Sequence, residues 1–214
     1  MNISDRIELV RERILRAGGS SITLIAASKG ASSHSITQAF DAGITCFGEN
    51  YLQEALAKRD ACPRGIEWHF IGRLQSNKVA KIADNFNVIQ TVDSVARARK
   101  VSDASPNRPD VFLEVNIAEE PNKAGILPGN VAEIAEIVYA LPRIRLIGLM
   151  TMGPANPIAE NSRPYFKRMR ELIETIRMEG VDKLSMGMTA DYEVAIQEGA
   201  THIRIGSGLF GPRT

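Results

Sequence analysis

Eight short apolar segments alternating with helical stretches constrain this chain more than any other feature. The segments are 22–29, 45–48, 67–72, 87–92, 111–117, 145–152, 184–188 and 201–207. Between them, apolar residues recur at helical spacing over 33–42, 51–61, 75–84, 95–103, from Asn130 onward, 161–179 and 191–199. A further amphipathic helix, residues 2–17, precedes the first segment with Ile3, Ile7, Val10 and Ile14 on one stripe. Strands that are apolar nearly throughout belong to a parallel sheet covered by helices, and eight of them close a barrel. The expected fold is α/β: a single (β/α)8 TIM-type barrel with an extra N-terminal helix, residues 1–214 forming a single domain. No full helix follows the eighth strand, and the N-terminal helix is free to take that place. An open doubly wound sheet is the alternative, but no Gly-x-Gly-x-x-Gly follows the first strand.

Local signals refine the elements. Asp93 or Ser94 caps the helix at 95, Asn130 with Glu133 reads as a capping box, and Asp191 caps the helix that stops at Gly199. The stretch 161–179 reads as the longest helix, with Phe166, Met169, Ile173 and Ile176 inward, after a loop holding Gly153, Pro154 and Pro157.

Composition excludes several classes. The 26 basic and 25 acidic residues give a net charge of +1, against the basic excess of a nucleic-acid protein. No apolar run reaches the roughly 18 residues of a membrane span. Asp5, Glu8 and Glu12 among the first arginines fit neither a signal peptide nor an acid-poor transit peptide. Cys46 and Cys62 make no disulfide framework, and Cys46, in a strand, reads as a small core hydrophobe. A reducing cytoplasm is the expected location.

The chemistry collects where a barrel keeps its active site, at the C-terminal ends of its strands. Lys29 closes the first strand. Burying an unpaired ammonium costs several kcal/mol, on the order of 3–5, and a lysine so placed commonly forms a Schiff base with a carbonyl. The ends of strands seven and eight supply Ser185, Met186, Gly206, Ser207 and Gly208, at the two strands where barrels often bind phosphate. Arg204 shares a face of strand eight with His202 and Gly206. It pairs with Glu49 or Glu114, or it faces a ligand heteroatom; position alone leaves these open. His69 reads as a core histidine with one satisfied hydrogen bond and His34 as surface. Three scattered histidines without clustered acids suggest no metal site. A Schiff-base lysine with a phosphate cradle points to one ligand, pyridoxal 5′-phosphate (PLP).

The chain resembles the pyridoxal phosphate homeostasis protein family, itself similar to the barrel domain of alanine racemase, a fold type III PLP-binding barrel. The matching segments are Ala27-Ser28-Lys29, Phe47 to Tyr51, Trp68 to Gly72 continuing through Leu74 to Lys78, Val115-Asn116, Gly148 to Met150, Leu184 to Met188 with Asp191, and Arg204 to Gly206 with Phe210-Gly211. The resemblance implies PLP bound on Lys29, phosphate contacts from Ser185, Met186, Gly206 and Ser207, Arg204 near the pyridine nitrogen, and Asn50 beside the ring. A fixed positive charge there disfavours protonating that nitrogen and weakens the cofactor as an electron sink. Departures are Thr189, where the family commonly has Ser, Ser207-Gly208 for a more usual Thr-Ala, and Gly30 after the lysine.

Three functions follow. The first is a PLP-binding protein that buffers or delivers the cofactor and maintains vitamin B6 and amino-acid homeostasis, without turnover, with apo PLP-dependent enzymes as acceptors. The second is a PLP-dependent racemase, which needs two acid/base groups on opposite faces of the substrate; Tyr51, Tyr139, Tyr165 and Tyr192 all sit in helices or at helix starts. The third is a Schiff-base aldolase, which lacks an evident acid/base partner for Lys29. No helix has an apolar stripe to spare, so a monomer is expected.

Overall fold

A computed structural model describes residues 1–153 and 158–211. The strands are β1 (Thr23–Ala27), β2 (Cys46–Glu49), β3 (Glu67–Phe70), β4 (Val88–Val92), β5 (Asp110–Glu114), β6 (Arg145–Met150), β7 (Lys183–Met188) and β8 (His202–Ile205). The helices are α1 (Ile3–Arg16), α2 (Ser33–Asp41), α3 (Leu52–Arg59), α4 (Val79–Asn85), α5 (Val95–Ala104), α6 (Val131–Tyr139), α7 (Arg163–Glu174), α8 (Tyr192–Gln197) and α9 (Ser207–Phe210). The strands form a closed parallel barrel in sequence order. Closure comes from β1 on β8, with Thr23 opposite His202 and Ala26 opposite Ile205. The (β/α)8 reading therefore holds and the open sheet does not.

Alternation along the strands explains the apolar pattern. Ala26, Phe47, Phe70, Ile89, Leu113, Leu149, Met186 and Ile203 belong to the main core with buried helix residues such as Ile7, Ile36, Val101 and Phe166. Each large side chain fully buried there contributes roughly 1.5–3 kcal/mol. The opposite parity points into the barrel. There Val88, Phe112 and Met150 form a second, small apolar cluster, and His69, Gln90, Ser185 and Arg204 are buried beside it.

Helix α1 packs against α2, α8 and α9, filling the gap left by the four-residue α9 after β8. Its buried stripe is Ile7, Val10 and Ile14, and Asn2 and Asp5 close a capping box at its start. Several boundaries differ from the sequence expectation. Strand β1 ends at Ala27, and Ser28 to Ala31 form a turn closed by Ala31 N–H on the Ser28 carbonyl at 2.9 Å. Ser94 caps α5 through its hydroxyl. Asn130 makes no side-chain cap, because a 3₁₀ turn over Pro128–Asn130 leaves it in helical backbone geometry rather than the extended conformation a capping side chain needs. Helix α7 is shorter than the stretch 161–179 and second in length to α1, since a separate 3₁₀ turn takes up Ala159–Ser162. Phe166, Met169, Ile173 and Ile176 are nevertheless all buried. Asp191 does not cap α8; its carboxylate accepts from Met188 N–H and Ser162 Oγ instead. Pro154 and Pro157 lie outside the described residues.

Candidate functional site

The turn after β1 carries Lys29 and is fastened on both sides of it. Ser28 is fully buried, and its hydroxyl donates to Glu49 at 2.5 Å. Lys58 of α3 reaches under the turn, donating to the carbonyls of Ser28 at 2.8 Å and Ala31 at 3.3 Å. It pairs with Glu49 at 2.7 Å and Glu54 at 3.0 Å, with only 10% of its side chain exposed. Glu54 accepts from Gly30 N–H at 2.5 Å, and Gly30 has φ +75°, which a glycine adopts without strain. Burial, opposed by Lys58 and Ser28, holds the Glu49 carboxyl above the usual carboxylate range. Lys29 itself is half-buried, and its ammonium makes no hydrogen bond or ion pair with the described residues. The turn follows the C-terminal end of β1, so Lys29 stands at the barrel mouth.

Arg204 is 5% exposed and does not pair with Glu49 or Glu114; its Nη1 donates to Ser185 Oγ at 2.6 Å and its Nη2 to the Thr151 carbonyl at 2.9 Å. Burial lowers its pKa to about 10, so it stays charged at neutral pH. Ser185 is thereby moved from its expected place. It stands opposite His202, the first residue of β8, and so lies inside the barrel below the rim. Its hydroxyl donates to Gln90 Oε1 at 2.8 Å and accepts from Arg204 at 2.6 Å. Met186 is fully buried on the outward face, so only its backbone can meet a ligand. A register shift between Ser185 and Met188 then re-aims the chain at the mouth.

Beyond the shift, Gly206 passes close to the Lys29 turn: a Cβ there would lie 3.3 Å from the Ala27 carbonyl. Ser207 and Gly208 open α9, and their N–H groups precede its first hydrogen bonds, which Leu209 and Phe210 donate to the Gly206 carbonyl at 2.9 and 3.0 Å. Thr189 stands beside them, its methyl 3.2 Å from where a Gly208 Cβ would be. In the sequence its hydroxyl stands only as a departure from the family pattern; its place after strand seven, facing the glycines after strand eight, is the signal that marks it.

Asn50 lies on the wall of a cavity of about 700 Å³ in the mouth, which Arg73, Asp93, Arg97, Glu114 and Met188 also line. Lys29, Gly206 and Ser207 border the mouth outside that cavity, on the β8–β1 side. The Asn50 Oδ1 is buried without a partner among the described residues. Its backbone presses on Gly72, where a Cβ would fall 2.0 Å from the Asn50 carbonyl oxygen. Burial, then the charge of Asp93, raises the Glu114 pKa to about 7.

At the opposite end of the barrel, Cys46, Glu67 and His69 bring ligand-type atoms within 4.8 Å of one another. Linear spacing does not show this; pairing Cys46 opposite Glu67 does. Cys46 is half-buried beside the Glu67 carboxylate rather than a core hydrophobe, and burial followed by that charge pushes its thiol up to about 11. His69 makes two hydrogen bonds, to Glu67 at 2.7 Å and Gln90 at 2.9 Å. His34 is exposed.

Comparison with known proteins agrees with this architecture. Residues 2–214 match the family model for the alanine racemase N-terminal domain. The pyridoxal phosphate homeostasis protein of Pseudomonas aeruginosa is 41% identical, with 99% of this chain and 94% of that protein covered. That of Aquifex aeolicus is 39% identical, covering 100% and 99%. Among solved structures, PipY of Synechococcus elongatus with PLP bound superposes with a TM-score of 0.87 at 33% identity, covering 98% of this chain and 100% of that one. The alanine racemase of Oenococcus oeni shares the fold, with a TM-score of 0.75 at 18% identity over 100% of this chain and 63% of that one. The chain belongs to the pyridoxal phosphate homeostasis protein family, on the barrel of the alanine racemase N-terminal domain.

Proposed function

We propose that this chain binds PLP as a Schiff base on Lys29 and acts as a cofactor buffer and donor without turning over a substrate. The observation that carries the reading is the Lys29 ammonium, unpartnered among the described residues, on a turn held by Lys58, Glu49 and Glu54. The surrounding residues fit the cofactor. Gly206 leaves room where a side chain would crowd Ala27, and Ser207, Gly208 and the Met186 backbone offer donors for a phosphate, with Thr189 added to them. The Asn50 Oδ1, buried without a partner among the described residues, suits the ring's surroundings. Arg204 presents a charged donor for the ring nitrogen. Ser185 then serves from below, by holding Arg204.

PLP supplies an aldehyde for Lys29 and, in enzymes, an electron sink for amino-acid chemistry. The fixed charge of Arg204 opposes protonation of the ring nitrogen and so holds that sink in check. Names of relatives support homeostasis over turnover, and PipY carries PLP. We further read residues 1–214 as one monomeric unit of the cytoplasm that passes PLP to apo-enzymes; no helix among the described residues is long and apolar enough to cross a membrane.

The test mixes PLP-loaded protein with an apo PLP-dependent enzyme and follows recovery of that enzyme's activity, while chiral chromatography follows racemisation of added amino acids. Recovery without racemisation is expected. Racemisation at an enzyme's rate, abolished by Lys29→Ala, would replace this reading with the racemase one.

A further inference from the structure

A line of buried polar side chains crosses the barrel from the mouth to the floor. Arg204 Nη1 meets Ser185 Oγ at 2.6 Å, Ser185 Oγ meets Gln90 Oε1 at 2.8 Å, Gln90 Nε2 meets His69 Nδ1 at 2.9 Å, and His69 Nε2 meets Glu67 Oε1 at 2.7 Å. His69, Gln90 and Ser185 are fully buried, while half of the Glu67 side chain is exposed at the floor. Nothing in phosphate or aldehyde binding requires this line.

Its direction is fixed by chemistry. A guanidinium only donates, so Ser185 accepts from Arg204 and turns its own proton to Gln90. The Gln90 atom facing Ser185 is therefore the amide oxygen, and the amide nitrogen faces His69. An amide nitrogen only donates, so His69 Nδ1 accepts and the ring proton sits on Nε2, aimed at the Glu67 carboxylate. Each link determines the next, at fully buried positions where an unmade bond is costly. Arg204 Nη2 is anchored on the Thr151 carbonyl, and its remaining N–H groups have no acceptor among the described residues.

We propose that Gln90, His69 and Glu67 are positioning residues for Arg204, a relay through the barrel that sets how the guanidinium meets the PLP ring nitrogen; this rests on the reading of Arg204 as that nitrogen's partner. The relay makes the orientation of a mouth residue depend on a carboxylate at the opposite face. Neighbouring His202 is not a member: its Nδ1 bonds Thr201 Oγ1 at 2.8 Å and its ring packs on Phe112.

Two measurements test it. In ligand-free protein, imidazole nitrogen–proton NMR reads the His69 tautomer. The Nε2–H form is expected in the wild type, and Gln90→Glu, which offers only acceptors, should move a proton onto Nδ1. In protein loaded with ring-¹⁵N PLP, Gln90→Leu should shift the ring-nitrogen resonance while PLP still attaches to Lys29; Val88→Ala, a loss inside the same barrel, should leave it in place. An Nδ1–H wild type, or a ring resonance unmoved by Gln90→Leu, overturns the relay. Should Gln90→Leu not fold, Gln90→Glu and the tautomer readout still decide. Failure of PLP to attach to wild-type Lys29 instead overturns the cofactor reading, and the tautomer result stands apart from it.

Discussion

Lys58→Met is the perturbation whose cost can be worked most directly from the structure. The methionine keeps most of the stem volume and removes the charge. It strips the fully buried Glu49 of its ion pair and the Ser28 and Ala31 carbonyls of a donor. Breaking one side of a buried pair costs about 3–5 kcal/mol. Burial already holds the Glu49 carboxyl above the usual range, and losing Lys58 shifts it further toward the neutral form, so the lower end, about 3 kcal/mol, applies. For a chain of this size that corresponds to a fall in Tm of about 6–12 °C. The sign of the pH dependence follows. A carboxyl held protonated in the fold but ionised when unfolded loses stability as pH rises from its unfolded pKa through its folded one. The deficit of Lys58→Met therefore grows with pH in that range, and Glu49→Gln in the same chain restores much of the loss. The assay is urea and thermal unfolding by circular dichroism at several pH values, with the fraction of borohydride-fixed PLP measured beside it. A loss under about 1 kcal/mol, or no recovery in the double variant, refutes the claim that Lys58 and Glu49 clamp the turn; the lower threshold is that of an exposed pair.

Glu114 and His202 pull stability in opposite directions. Burial raises Glu114 to about 7, so it costs stability as pH rises from its unfolded value to 7; burial lowers His202 to about 4, so stability is lost as pH falls from about 6.5 to 4. Glu114→Gln removes the first slope, worth up to about 3 kcal/mol, and pH-dependent unfolding should then show stability climbing from pH 4 to 6.5. Thr189→Ala should weaken PLP retention about tenfold, the loss of one hydrogen bond to a charged group, read by equilibrium dialysis. Gly72→Ala, whose Cβ would fall 2.0 Å from the Asn50 carbonyl, should cost about 3 kcal/mol or more in urea unfolding, because backbone must move.

The barrel was legible because two periods coexist: strands read apolar on both faces, and helices carry one apolar stripe. Depth along a strand was not. Ser185 looks like a rim residue until its pairing with His202 puts it inside, and Lys29 looks like a strand end until the turn at Ser28 is seen. Nothing in the linear sequence marks Lys58; only the fold brings it beneath the Lys29 turn. Cys46, Glu67 and His69 meet through strand register, which no linear spacing encodes. The cap expected at Asn130 failed for a local reason, the extra 3₁₀ turn that fixes its backbone.

The most direct test of the central claim is borohydride reduction of the PLP-loaded protein followed by peptide mass spectrometry. The account expects a reduced pyridoxyl group on the Lys29 peptide alone, and none in Lys29→Ala. Label spread over other lysines, or label retained in Lys29→Ala at the wild-type level, would contradict it.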